Sequence, residues 1–114
     1  MSSREGKRSA PRISTVRLRA MIEEATVDAY GDEEQAMGWE CAFEEHLVLP
    51  FKTTVLGVEV TVERVTMRGD NRIVAICARG RTRQAIALLD LPLPSPAPAG
   101  AEWIAAYRYF LGER

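Results

Sequence analysis

The sequence predicts an α+β domain in which two N-terminal helices and one C-terminal helix flank a small SH3-like, twisted antiparallel β-sheet. Apolar residues recur at three-and-four spacing before Pro50 and at alternate positions after it, and the chain closes on a short aromatic segment. The first period belongs to helices with one buried face, the second to half-buried strands. With 114 residues and 46% apolar composition, the chain can bury one modest core and is too apolar to be disordered throughout.

Residues 1–13 are basic and unpatterned and are expected to form a disordered tail ahead of a single domain over residues 14–114. From Ser14, a good N-cap, Leu18, Met21, Ile22, Ala25 and Ala29 share one helical face. Gly31 is expected to end this helix, since glycine accepts left-handed backbone. The run Asp32-Glu33-Glu34-Gln35 resembles a capping box with Asp32 as N-cap. Ala36, Trp39, Phe43 and Leu47 then form the apolar stripe of a second helix. Gly38 inside that helix costs about 1 kcal/mol relative to alanine, which points to close approach of another element or to a break.

Residues 51–56 read as a strand and Leu56-Gly57 as a turn. Val58, Val60 and Val62 then alternate with Glu59, Thr61 and Glu63 in a second strand. Arg68-Gly69-Asp70-Asn71 reads as a loop, residues 72–79 as a third strand, and residues 84–89 as the strand completing a hairpin. Strands at about ten-residue spacing with glycine at the corners suggest a small barrel-like sheet. Pro92, Pro94, Pro96 and Pro98 mark an extended connector. Trp103, Ile104, Tyr107, Phe110 and Leu111 share one side of a last helix, expected to close the open side of the sheet.

Several function classes are set aside by what the residues lack. No run of about 18 apolar residues exists, so no membrane span is expected. No apolar stretch follows the basic N-terminus, so no secretory signal is expected. Cys41 and Cys77 have no CxxC partner and are expected to be small buried residues of a reduced, cytoplasmic protein. There is no Gly-rich phosphate loop and no nucleophile elbow, and His46 is the sole histidine. A multi-histidine zinc site is therefore excluded, and no enzymatic activity is expected. Glu44-Glu45-His46 reads as a solvated helix end.

The net charge of −1 conceals segregated blocks. Residues 1–20 carry six basic side chains against one acid, residues 21–50 nine acids and no base, and residues 51–114 nine bases against six acids. Two explanations of the acidic block stand side by side. Asp32, Glu33 and Glu34 suit a helix N-terminus, where acids meet the positive end of the dipole, and the other acids suit solvated faces. Alternatively, Asp28 with Asp32, Glu33 and Glu34 around the interhelical turn, and Glu33, Glu40 and Glu44 along one flank, offer the oxygen ligands calcium takes. Like charges at such spacing oppose a helix by a few tenths of a kcal/mol per pair unless neutralised. An EF-hand does not fit: a loop starting at Asp28 would place Tyr30, Glu33 and Trp39 at positions needing a ligand, a glycine and a glutamate.

The order of segments resembles the CcbP-type calcium-binding proteins, small acidic proteins of cyanobacteria. The resembling stretches are Asp28-Ala29-Tyr30, Gly38-Trp39-Glu40, Leu49-Pro50-Phe51-Lys52-Thr53, residues 57–62, Ala87-Leu88-Leu89-Asp90-Leu91 and the aromatic segment 103–110. They span roughly residues 16–112. The resemblance implies reversible, non-EF-hand binding of Ca²⁺ in a bacterial protein, by carboxylates of the helical region packed on a small β-structure. The ligand candidates it implies are Asp28, Asp32, Glu33 and Glu34, with Glu40, Glu44 and Glu45 as a second cluster. The basic second half departs from the family's acidic composition.

The rival reading is a non-metal module that uses the sheet to hold a protein or nucleic-acid partner. Arg68, Arg72, Arg79, Arg81 and Arg83 would then contact phosphates. No aromatics interleave these arginines, so base stacking lacks support and nucleic acid is not the expected partner.

Overall fold

The computed structural model describes residues 13–112, so nearly all of the expected basic tail lies outside the described residues. Helix α1, Thr15–Ala25, starts as the sequence predicts, with the Ser14 hydroxyl accepting the Arg17 N–H at 3.1 Å. It ends at Ala25 rather than running on to Gly31. Thr26 stops it, since its N–H and its hydroxyl both donate to the Ile22 carbonyl, the hydroxyl at 2.7 Å, and such back-bonding competes with continuation of a helix. Asp28 follows with left-handed backbone, φ 58°.

Helix α2, Asp32–His46, is capped by Gly31 at φ 105°, so Asp32 is its first helical residue and not its N-cap. The box is shifted by one position: Glu34, not Gln35, reaches back and accepts the Tyr30 N–H at 2.7 Å. Gly38 lets the end of α1 approach α2 closely, and a Cβ there would strike the Ala25 carbonyl oxygen.

Strands β1 (Phe51–Val55), β2 (Val58–Arg68), β3 (Arg72–Arg79) and β4 (Thr82–Ala87) form one antiparallel sheet in sequence order. A sheet in this order leaves β1 and β4 as edges, so the architecture is a four-stranded meander. β4 ends at Ala87, short of the expected Leu89, because Leu88–Asp90 turns into a single 3₁₀ turn. β2 runs five residues beyond Glu63, and Glu63 is a bulge: Val62 pairs with Cys77 and Arg64 with Ile76. The extra residue resets the alternation, so Val62 and Val65 both point into the core. Central β3 is buried from Ile73 to Ala78, which is why it lacks a polar alternation.

The proline connector is fixed to β1 by the buried Thr53 hydroxyl, which donates to the Pro92 carbonyl at 2.6 Å. Helix α3, Glu102–Phe110, then packs chiefly on α1 and α2 rather than serving as a lid on the sheet. Its Trp103, Ile104 and Tyr107 join Met21, Trp39, Phe43, Val62 and Ile73 in one core. Among the described residues no helix is long and apolar enough to cross a membrane. Cys77 is buried as expected, but Cys41 is exposed on α2.

Gly38→Ala tests the helix contact with a definite sign. Intrinsic propensity favours alanine by about 1 kcal/mol, yet the clash with Ala25 dominates. Urea unfolding is expected to show a net loss of about 1–3 kcal/mol. Cys41 should react with a thiol reagent in the native protein. Cys77, whose thiol burial pushes up from its ordinary pKa, should react only on unfolding.

Candidate metal centre

Seven carboxylates of the helical region are candidate ligands by sequence, and the fold sends them to different places. Asp28 is exposed in the α1–α2 connection, and Asp32 and Glu33 are exposed in the first turn of α2. Glu34 is engaged with the Tyr30 backbone. Glu40 turns to the sheet, where one carboxylate oxygen accepts the Thr66 hydroxyl at 2.8 Å and the Met67 N–H at 3.0 Å. Glu44 is exposed. Glu45 lies beside His46, whose Nε2 is 3.6 Å from both Glu45 and Glu24. The His46 ring stacks on Trp103 at 4.2 Å with planes 5° apart, so this helix end is packed rather than freely solvated. Among the described residues, no three His, Cys, Asp or Glu side chains are grouped so as to hold a metal ion.

Oxygen-bearing side chains from two elements line one cleft, of about 420 Å³. Asp32 and Gln35 come from the first turns of α2, Asp70 and Asn71 from the β2–β3 turn, and the wall is Trp39, Tyr107 and Phe110. The arrangement follows from two local features. Asn71 takes left-handed backbone, φ 65°, and its N–H closes on the Arg68 carbonyl at 2.9 Å, a conformation asparagine tolerates well. The Glu40 contact then fixes α2 against the end of β2, next to that turn.

Asp70 is paired with Arg72 at 3.0 Å, both side chains being more than half exposed, so the pair is open to exchange with a competing cation. Behind the cleft, burial pushes the Tyr107 phenol up, a hydrogen bond with the Ile73 backbone partly opposing it. Among the described residues the indole Nε1 of fully buried Trp39 has no hydrogen-bond partner. The donor set of two carboxylates and two amide carbonyls, with room for water, has the hard-oxygen chemistry that suits calcium.

Asp70, Asn71 and Gln35 escaped the sequence reading. The only local signal was the Gly-Asp-Asn turn, and nothing in the chain connects that turn to Asp32, 38 positions earlier. The five arginines of the rival reading do not form one surface. Arg68 and Arg72 pair with each other in register at the cleft end, while Arg79, Arg81 and Arg83 lie at the far end of the sheet. Arg83 also grips Glu63 through two contacts of 2.8 and 3.2 Å. That grip holds the Glu63 carboxyl below its ordinary range.

A sequence model of a family described as calcium binding, the CcbP type, matches residues 19–111. Among solved structures, that of Anabaena CcbP is similar over 91% of this chain and 96% of its own, with a TM-score of 0.72 and 23% identity. A calcium-binding protein in its calcium-binding form is similar over 90% of this chain and 99% of its own, with a TM-score of 0.61 and 25% identity. No curated protein matches the chain.

The role of Glu40 can be separated from metal ligation. Glu40→Ala leaves two donors of β2 without their acceptor and is expected to cost about 1–3 kcal/mol in urea unfolding. Glu40→Gln retains an acceptor oxygen and should cost less. In calcium-free buffer both losses should be fully present, whereas a ligand-only role would leave stability there unchanged.

Proposed function

The chain belongs to the CcbP-type calcium-binding family, and from that premise we propose that it binds Ca²⁺ reversibly, as a buffer or sensor and without catalytic activity. The observation that carries the reading is the cleft where Asp32 and Gln35 of α2 face Asp70 and Asn71 of the β2–β3 turn. Asp32 is the one sequence-derived candidate that lies there. These four side chains carry six oxygens, of which four bind if each carboxylate is monodentate, against the six to eight that calcium takes, and water fills the remainder in sites of this kind. Asp32 and Asp70 line the cleft from two different elements, and a divalent ion bound by both would tie α2 to the turn. Asp28 and Glu33 remain exposed near the start of α2 and add to the negative field that draws a cation toward this end of the molecule, whereas Glu44 is exposed near the helix's other end.

Arg72 tunes the site in this reading. Its guanidinium already neutralises Asp70, so calcium must displace it. A weak, exposed pair suits reversible binding, because the displaced arginine is promptly hydrated.

Calorimetric titration of metal-free protein at physiological salt tests the proposal. Heat with saturation and a rise in melting temperature are expected with Ca²⁺, and a weaker response with Mg²⁺, which demands stricter octahedral geometry. Asp32→Asn with Asp70→Asn should weaken Ca²⁺ binding about tenfold or more, and Arg72→Ala should strengthen it roughly threefold. Absence of both heat and thermal shift at millimolar Ca²⁺ would sink the reading. Unchanged binding in the double variant would move the site elsewhere.

A further inference from the structure

The two-residue turn joining β1 to β2 is Leu56-Gly57, with φ 50° and 78°. Positive φ at both central positions is the type I′ geometry, which asparagine and glycine favour and a branched side chain adopts at a cost. Leu56 is also 97% exposed, so its side chain returns almost nothing to the core for that cost. Folding therefore gives no reason for leucine here.

Below it lies a groove of about 440 Å³, lined by Leu56, Val58, Val60, Cys77 and Ile86 with Arg79 at the rim. It is the end of the sheet's inner face that the helices leave uncovered. Val62, opposite Cys77, is buried by the core, whereas Val58, four residues up the strand, is 37% exposed. The β3–β4 turn flanks the same end and carries Arg79 and Arg81. Among the described residues neither has a carboxylate at ion-pair distance. Glu59 alternates with Val58 and Val60 and so points to the opposite face of the sheet.

We infer that the open end of the sheet, built from Leu56, the groove beneath it and the Arg79–Arg81 turn, docks an acidic protein segment that inserts one large apolar side chain. Charge complementarity selects the partner, since among the described residues the charges flanking this face are Arg79 and Arg81, neither of them ion-paired, and no acid lines the groove. The recess is concave, with room for a large apolar side chain, which suits a peptide rather than the planar surface of a membrane. The surface lies at the opposite end of β2 and β3 from the calcium cleft, and the inference stands whether or not that cleft binds the ion.

Fluorescence polarisation of the full chain with a fluorescein-labelled decapeptide, eight glutamates around a central Leu-Phe pair, tests this in calcium-free buffer. Saturable binding is expected, and it should be lost with a decapeptide in which lysines replace the glutamates. Leu56→Asn should weaken binding at least tenfold while holding or raising the melting temperature, because asparagine fits the turn better; unfolding is thereby ruled out as the cause. Arg79→Glu with Arg81→Glu should weaken it at least as much. No binding of the acidic peptide, or equal binding by the Leu56→Asn protein, overturns the proposal. So does binding to phosphatidylserine vesicles without binding to the peptide, or concentration-dependent self-association that Leu56→Asn abolishes.

Discussion

The indole of Trp39 is fully buried, with the rings of Tyr107, Phe110 and Phe43 at centroid distances of 5.2, 5.5 and 6.0 Å. These tilted contacts fix angle as well as distance between α2 and α3. The residues on either side of Trp39 complete the restraint. Gly38 admits the backbone of α1, and Glu40 binds the backbone and a hydroxyl of β2. Successive residues of a helix point about 100° apart, so three consecutive positions meet three different elements. Gly38-Trp39-Glu40 is thus a junction that sets α2 against α1, α3 and β2 at once.

That junction decides what the acidic block can do. By spending Glu40 on β2, it removes that carboxylate from the flank where a cation would otherwise find it. The same contact holds the start of α2 beside the β2–β3 turn, and Asp32 gains Asp70 and Asn71 as neighbours. At the other end of the sheet the inner face lines an apolar groove with Arg79 at its rim. One sheet therefore carries oxygen-bearing side chains beside Arg68 and Arg72 at one end and an apolar groove beside Arg79 at the other.

The sequence by itself determined whatever depends on neighbours a few residues away. The change of period at Pro50 marked where helices give way to strands, Ser14 was readable as a cap, and the Leu56-Gly57 turn was legible from its glycine. Even these short-range readings slipped by a residue or more where two local chemistries competed, as when Thr26 stopped α1 early and Gly31 displaced Asp32 from the cap. The Glu63 bulge was hidden for the same reason, since an interrupted alternation looks like the end of a strand. Tertiary structure alone decided which acids share a cleft and which are spent on backbone. Side chains separated by 26 or 38 positions meet only after α2 is set on the sheet. That placement comes from the volume and shape of Trp39 and its ring partners, which no periodicity or charge count along the chain encodes.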